Sequence, residues 1–337
     1  MMRMPWFGFH SPRTVAEAAK ILAAEGPQAM LIAGGTDLVP NMKRRHQTPS
    51  TLVSLRRVEG LRKMNGSLGA ALTLTEIVES SQVRERYRAL WQAAAQIATP
   101  HLRNMGTLGG NLCLDTRCTY YNQNEEWRQA INFCLKKEGE TCWVATASKR
   151  CVAVSSTDSA PALIALGAKV KLVSASGERE VSLADLYRND GIDYLSRKPD
   201  EILTEVVLPN AEGWRSTYWK LRRRGSFDFP VLGVAAAVRC GKDGVIEDAR
   251  IALGAVASRP FLVDKAGAAL IGKKLTDDVI AETAAAVASR AKPMDNTDLD
   301  LYWRKEVAAA FAGYALKELR GDDMRATRTR IARQSLE

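Results

Sequence analysis

The sequence predicts an α+β protein with two domains. Its 337 residues are enough for about two domains of ordinary size. Helix and strand patterns alternate up to a final strand, EILTEVVLPN, which proline and asparagine bring to an end. Beyond that point strand patterns come first and helix patterns follow, which is typical of an antiparallel sheet with helices. We therefore expect one domain over residues 1–211 and a second over residues 212–337.

The first domain is predicted to begin with a helix over TVAEAAKILAAEG, which ends at Gly26, and a short buried strand over QAMLIAGG. Strands are then expected over LVSL and KMNGSLGAALT, and two helices over TLTEIVES and VRERYRALWQAAAQIA. Pro100 should end the second helix and introduce a loop, HLRNMGTLGGN. A polar, irregular stretch runs to about Cys151, before a helix and a strand over SAPALIALGAKVKLVSASG.

The second domain is predicted to contain an antiparallel sheet and three helices. Strands are expected within STYWKLRRRGSFDFPVLGVAAAVR and VIEDARIALGAV. Helices are expected over KAGAALIGKKL, DDVIAETAAAVASRAK and LYWRKEVAAAFAGYALKELRG. This second half supports the α+β prediction.

Composition excludes several classes of protein. Charged residues make up 26% of the chain, and no apolar stretch approaches the length of about 18 residues that a membrane span needs, so we expect no membrane contact. The start lacks the apolar core of a secretion signal, which predicts a cytoplasmic protein. The net charge of +10 has no interleaved aromatic platform, so nucleic-acid binding is not expected. Three histidines without G-x-S-x-G or H-E-x-x-H motifs argue against a hydrolytic triad or a zinc peptidase.

Two glycine-rich loops are candidate ligand sites. The first follows a predicted strand and spans Leu31–Leu38, and the second spans Gly106–Asn111. Glycines allow close approach of the backbone, and consecutive amide groups form a concavity that suits pyrophosphate oxygens. Neither loop matches G-x-G-x-x-G or the P-loop, so nicotinamide and nucleoside triphosphate are not supported. Either loop alone could be a simple turn, but two in one domain favour a dinucleotide.

Five of the six cysteines lie in one polar stretch, which points to a metal site in a reducing compartment. From Cys118 the spacing is C-x15-C-x7-C-x8-C, and Cys113 lies upstream. Zinc modules usually contain C-x2-4-C pairs, and ferredoxins contain C-x2-C-x2-C, so neither pattern fits. The spacing permits a site with four thiolates but does not identify its metal.

Four motifs in this order resemble the FAD-binding subunits of the molybdenum hydroxylase family: AGGTDL, RNMGTLGGN, an Asp-x-x-Pro-Ala-Leu helix start at Asp158, and EIL followed by a strand with a lysine. The resemblance extends over nearly the whole chain. It implies a two-subdomain FAD-binding domain followed by a C-terminal flavoprotein domain with an antiparallel sheet and helices. It places Asp158 facing the cofactor, and Leu203 and Lys220 beside the isoalloxazine. The residues that it places on the FAD pyrophosphate are Leu31, Ile32, Ala33, Gly34, Gly35, Thr36, Asp37 and Leu38, with Thr107, Leu108, Gly109, Gly110 and Asn111.

One departure from the family pattern is an insertion at about residues 112–157, which carries the cysteines. The insertion is similar to that of 4-hydroxybenzoyl-CoA reductases, where it holds a 4Fe-4S cluster. This likeness implies Cys118, Cys134, Cys142 and Cys151 as ligands, and leaves Cys113 as the spare cysteine.

The same likeness implies a subunit that passes electrons from ferredoxin through the 4Fe-4S cluster and FAD toward 2Fe-2S clusters and molybdenum, for reductive dehydroxylation to benzoyl-CoA. The implied partners are a molybdenum-binding large subunit, which carries the substrate site, and a small subunit with two 2Fe-2S clusters, in a dimer of heterotrimers. Four cations are candidate contacts for an acidic ferredoxin: Lys136, Lys137, Lys149 and Arg150.

Two alternatives remain open. The chain could be the FAD subunit of another molybdenum hydroxylase that oxidises an aromatic or heterocyclic substrate, with a structural metal in the insertion. It could also be a basic, zinc-bearing binding protein without flavin.

Overall fold

The computed structural model describes residues 3–334, so the first two residues of the predicted first domain and the last three of the second lie outside it. The helices are α1 (Val15–Glu25), α2 (Leu38–Lys43), α3 (Leu74–Glu79), α4 (Ser81–Arg86), α5 (Arg88–Ala95), α6 (Pro100–Arg103), α7 (Leu108–Leu112), α8 (Glu125–Ala130), α9 (Ser159–Leu166), α10 (Asp264–Ala268), α11 (Asp277–Arg290), α12 (Leu301–Arg320) and α13 (Arg325–Gln334). The strands are β1 (Gly8–His10), β2 (Ala29–Ile32), β3 (Thr51–Ser54), β4 (Ser67–Gly69), β5 (Lys169–Ser174), β6 (Gly177–Ser182), β7 (Ile202–Val207), β8 (Trp214–Leu221), β9 (Leu232–Cys240), β10 (Ile246–Gly254) and β11 (Phe261–Leu262).

The strands form three sheets among the described residues. A small parallel sheet has the order β1-β3-β2, and an antiparallel sheet has the order β4-β7-β5-β6. The third sheet, β11-β10-β9-β8, is antiparallel, and α12 packs against β8 and β9. The predicted α+β class, with two subdomains followed by a C-terminal antiparallel sheet with helices, is confirmed. No helix within residues 3–334 combines the length and the apolar character that a bilayer crossing requires.

Helix α9 joins the two halves of the molecule. All eight of its residues are buried, and it contacts β9 and β10 on one side and α5 on another. A helix that is apolar on every face is stable only when it is surrounded by protein. The start of this helix, at Asp158, is therefore held in a fixed position between the first domain and the C-terminal sheet.

Two local predictions were wrong. The segment VRERYRALWQAAAQIA forms two helices, α4 and α5, because the backbone of Tyr87 turns away from helical geometry at φ −130°. The loop after Pro100 contains two short helices. Thr99 accepts a hydrogen bond from the N–H of Leu102 at the start of α6, and Thr107 accepts one from the N–H of Gly110 at the start of α7. Pro100 therefore begins a helix, at the first position, where its missing N–H costs nothing.

Candidate functional site: a flavin cavity beside a loop of thiols

The two glycine-rich loops lie against each other and form one wall of a cavity of about 560 Å³. This volume lies within the range of cofactor pockets. A Cβ atom on Gly34 would lie 1.8 Å from the carbonyl oxygen of Met105, just before the second loop. Gly35 has φ +70°, a backbone conformation that side chains other than glycine rarely adopt. The glycines thus allow the two loops to meet, which produces a concave surface lined by main chain.

Most of the predicted flavin contacts lie on the cavity wall: Leu31, Ile32, Ala33, Gly34, Gly35, Thr36, Asp37, Leu38, Thr107, Gly109, Gly110, Asn111, Asp158 and Leu203. Leu108 and Lys220 do not. Leu108 is fully buried in the main hydrophobic core, and Lys220 lies behind Asp158. A cradle of glycine main chain with one buried carboxylate fits the pyrophosphate and ring of FAD.

Asn111 ties the second loop to the start of α9. Its side-chain oxygen accepts hydrogen bonds from the hydroxyl of Thr157 at 2.8 Å and from the N–H of Ser159 at 3.2 Å. Asn111 therefore orients the loop relative to Asp158. The predicted contact of Asn111 with phosphate stays a prediction, because phosphate would accept a hydrogen bond from the side-chain nitrogen and not from this oxygen.

Asp158 and Lys220 form a fully buried ion pair at the cavity. The Lys220 ammonium donates to Asp158 Oδ2 at 2.9 Å and to the carbonyl oxygen of Gln96 at 3.0 Å. The hydroxyl of Tyr218 donates to the other carboxylate oxygen at 2.7 Å. Burial raises the pKa of Asp158, and the positive charge of Lys220 opposes that shift. Burial lowers the pKa of Lys220. Because Asp158 lines the cavity and Lys220 does not, a bound ligand meets the carboxylate first.

The four predicted cysteine ligands lie in a separate buried cluster beyond the first turn of the insertion. Cys118, Cys134 and Cys151 pack with Tyr121 and Ala153, and Cys142 is buried near enough to Cys151 for its thiolate form to raise the pKa of Cys151. The spare cysteine, Cys113, instead lies on the wall of the flavin cavity, beside Arg197. The structure therefore brings the four predicted ligands together and separates the fifth cysteine from them.

Local backbone geometry presents N–H groups to these sulfur atoms. Burial raises the pKa of Cys118 to about 11, although the backbone N–H groups of Tyr120 and Tyr121 act in the opposite direction by hydrogen bonding to its sulfur. Burial also raises the pKa of Cys151 to about 11, and the N–H of Ala153 lies 3.4 Å from its sulfur. Thiols with such a high pKa are neutral at pH 7 and become thiolates only when a metal binds them.

The donor set of the four thiols can be compared with those of zinc and of an iron-sulfur cluster. Within residues 3–334, no three His, Cys, Asp or Glu side chains are close enough to share a single metal ion. Zinc requires its sulfur ligands at about 2.3 Å from one centre. A 4Fe-4S cluster takes four cysteines at four separate iron atoms, so its ligands stand further apart. Four buried cysteine thiols, two of which receive backbone N–H hydrogen bonds, are a donor set of the kind that an iron-sulfur cluster uses.

One of the four cations considered for ferredoxin docking is not on the surface. The Lys136 side chain is 7% exposed and donates to Asp115 at 2.8 Å, so it cannot contact a partner. Lys137 is partly exposed and pairs with Glu138, whereas Lys149 and Arg150 are exposed. The prediction was wrong for Lys136 because its acidic partner lies 21 residues away in the sequence, where no spacing rule connects them.

Arg117 is a functional candidate that sequence reasoning missed. It is buried next to Cys118, and its guanidinium donates to Asp37 in the first glycine loop and to Asn41 Oδ1 at 3.1 Å. It also lies over the ring of Phe229, at 4.9 Å from the ring centroid. The cysteine loop and the flavin cavity are thus physically linked. The only signal in the sequence was an arginine directly before a predicted ligand.

Comparisons with known proteins agree with this geometry. A family model described as the FAD binding domain in molybdopterin dehydrogenase matches residues 5–211, and the CO dehydrogenase flavoprotein C-terminal domain matches residues 216–319. The aldehyde oxidoreductase FAD-binding subunit PaoB of Escherichia coli is 33% identical over 282 residues, which cover 79% of this chain and 86% of that protein. The glyceraldehyde dehydrogenase medium chain of Sulfolobus acidocaldarius is 27% identical over 327 residues, covering 94% and 100% of the two chains.

Among solved structures, carbon monoxide dehydrogenase from Hydrogenophaga pseudoflava superposes with a TM-score of 0.75 at 26% identity, covering 94% of this chain and 97% of that one. The two family models together span most of the chain, in the order in which the two halves occur. Most residues that line the flavin cavity lie within the part that the first model matches, and Phe227, Asp228 and Phe229 lie within the part that the second model matches. The chain belongs to the molybdenum hydroxylase family, as an FAD-binding flavoprotein subunit.

Proposed function

We propose that this chain is the flavin and iron-sulfur electron-transfer subunit of a multi-subunit molybdenum hydroxylase whose substrate site lies on another subunit. The observation that carries the proposal is the shared segment at the start of the insertion. Asp115 lines the flavin cavity, and Cys118, three residues later, lies in the thiol cluster. Two redox sites so close in sequence and space are suited to electron transfer between them.

The residues of this chain have distinct roles in the proposal. FAD supplies one- and two-electron redox chemistry when it is bound, and a 4Fe-4S cluster supplies one-electron transfer. The glycine loops bind the pyrophosphate. Asp158, which is paired with the buried Lys220, contacts the flavin from the cavity wall and orients it. Cys118, Cys134, Cys142 and Cys151 hold the cluster, and the surrounding N–H groups stabilise their thiolate form.

The reaction that we favour is oxidation of a small substrate. The relatives include chains of an aldehyde oxidoreductase, a glyceraldehyde dehydrogenase, a nicotinate dehydrogenase and carbon monoxide dehydrogenases, in which the similar chain is a subunit or a medium chain. An aldehyde or an aromatic heterocycle is therefore the first substrate class to test. In the proposed complex, a large subunit binds molybdenum and a small subunit holds two 2Fe-2S clusters.

A second candidate is ferredoxin-driven reductive dehydroxylation of 4-hydroxybenzoyl-CoA. The long cysteine-bearing insertion favours it, because a low-potential donor needs an additional entry site for electrons. Lys149 and Arg150 are the exposed cations of the insertion that remain as contacts for an acidic donor. This candidate requires reduction rates that fall as ionic strength rises.

The test begins with the native complex, purified without oxygen. We expect FAD and about four iron atoms with acid-labile sulfide per copy of this chain, beyond those of its partner subunits. Cys118→Ser should lower that iron content, whereas Cys240→Ser, a change far from the cluster, should leave it unchanged. Cys113→Ser should also leave the iron content unchanged, since Cys113 lies on the flavin cavity. A preparation without flavin, or a Cys118→Ser variant with the iron content of the wild type, would contradict the proposal.

Activity then separates the two candidates. Oxidation of aldehydes or N-heterocycles with an artificial electron acceptor supports the hydroxylase. Reduction of 4-hydroxybenzoyl-CoA with a reduced low-potential dye, without oxidation of aldehydes or N-heterocycles, supports the reductase.

A further inference from the structure

Lys136 places a fixed positive charge inside the protein, between the thiol cluster and the flavin cavity. Its ammonium donates to Asp115 Oδ1 at 2.8 Å, to the hydroxyl of Thr116 at 2.7 Å and to the carbonyl oxygen of Gly191 at 2.5 Å. These three bonds use all three N–H groups of an ammonium. The cation has no donor left for water or for a ligand, so its role is electrostatic.

Aromatic rings complete the surroundings of this cation. The ammonium of Lys136 lies 4.8 Å from the ring centroid of Tyr121 and 5.3 Å from that of Tyr194. Both contacts are within the range of cation–π attraction. The hydroxyl of Tyr121 also donates to the second oxygen of Asp115, at 2.9 Å. The carboxylate and the ammonium are therefore both held in position from several sides.

The two ends of this ion pair face different sites. Asp115 lines the flavin cavity. On the other side, Gly191, which accepts a hydrogen bond from Lys136, packs against Cys151 so closely that a Cβ atom would lie 2.6 Å from the sulfur. One residue thus separates the ammonium from a proposed cluster ligand.

We propose that the Lys136–Asp115 pair is an oriented dipole that sets the difference in reduction potential between the cluster and the flavin. Its positive end favours the reduced cluster, which carries an additional negative charge, and its negative end opposes negative charge on the flavin. Electrons supplied to this chain consequently reside on the cluster side. The inference rests on the proposed 4Fe-4S site.

The experiment is a redox titration of the purified, oxygen-free complex, with the cluster followed by electron paramagnetic resonance and the flavin by visible absorption. Lys136→Met should shift the reduction equilibrium of the cluster about tenfold toward the oxidised form, which is about 59 mV for a one-electron couple. A unit charge within about 10 Å at an effective dielectric constant of about 20 has an effect of this order. Lys149→Met makes the same charge change on the exposed surface and should leave the cluster potential nearly unchanged, because solvent screens it.

A second variant covers the case in which Lys136→Met fails to retain its cluster. Asp115→Asn keeps the cation and removes the negative end, so the potentials of both the cluster and the flavin should rise. An iron-loaded Lys136→Met or Asp115→Asn protein with wild-type potentials overturns this inference alone. Wild-type protein without iron and sulfide overturns the proposed cluster, and the dipole with it.

Discussion

Replacement of Lys220 by methionine is the most direct test of the ion pair at the flavin cavity. Methionine fills a similar volume but removes the cation that donates to Asp158 at hydrogen-bond distance. The carboxylate would remain buried with the hydroxyl of Tyr218 as its remaining donor. Removing one member of a fully buried ion pair typically costs about 3–5 kcal/mol. We expect the free energy of unfolding of Lys220→Met to fall by about this amount.

The same substitution should lower the reduction potential of the flavin. Asp158 lines the cavity and Lys220 lies behind it, so the variant leaves a negative charge near the ring without compensation. Burial already raises the pKa of Asp158, and loss of the cation raises it further. The fall in potential should therefore be larger at alkaline pH, where the carboxylate is ionised, than at acid pH, where it takes up a proton.

Two variants complete this test. The double variant Lys220→Met with Asp158→Asn has no unpaired charge and should recover much of the lost stability, since the two residues act as one unit. Lys171→Met removes a partly exposed cation that pairs with Glu205 and should change neither stability nor potential appreciably. Chemical denaturation and a potentiometric titration of the flavin provide the measurements. A Lys220→Met protein with wild-type stability and potential would show that the pair has no electrostatic role.

Two further predictions concern the loops. Gly34→Ala should destabilise the protein by about 1–3 kcal/mol and reduce FAD retention, because the new methyl group would lie 1.8 Å from the main chain of Met105. The control Gly313→Ala, which places a methyl group in open space within α12, should retain full FAD. Equal FAD content in the two variants would refute the close approach of the two loops. Burial lowers the pKa of His46 below 6.5, so the unfolded chain takes up a proton first, and stability should fall as pH decreases below about 6.5. Thermal unfolding should show this fall in wild-type protein and a weaker one in His46→Gln.

Sequence patterns predicted the long elements well and the short ones poorly. Strands β8, β9 and β10 have eight or nine residues each, and most of these are apolar and buried, so their composition alone indicates a sheet. Helices α6 and α7 have four and five residues, fewer than two turns, so no periodicity can identify them. Their threonine caps were visible in the sequence, but caps also occur in loops. Packing against the rest of the domain decides between the two.

Buried charges were the other limit of sequence reasoning. Lys136 and Lys220 look like solvent-exposed cations, because most lysines are. Their carboxylate partners are 21 and 62 residues away, and only the fold brings them together. The resemblance identified Lys220 as a residue near the flavin, yet it could not show that Asp158 stands between the lysine and the cavity. Such pairs are recognised only in three dimensions.

The insertion that carries the cysteines joins the flavin domain through a narrow neck. Asn111 and Ser159, at the two ends, are joined by a hydrogen bond, and Arg117 and Val154 exchange two backbone hydrogen bonds at 2.8 and 2.7 Å. These contacts close a neck, so the cysteine loop leaves and re-enters the domain at nearly one point. Loop length beyond such a neck changes the entropy of closure only slowly. The first residues of the insertion, Cys113, Leu114 and Asp115, line the flavin cavity, and the cysteines beyond the neck depend on it for their position beside the cavity.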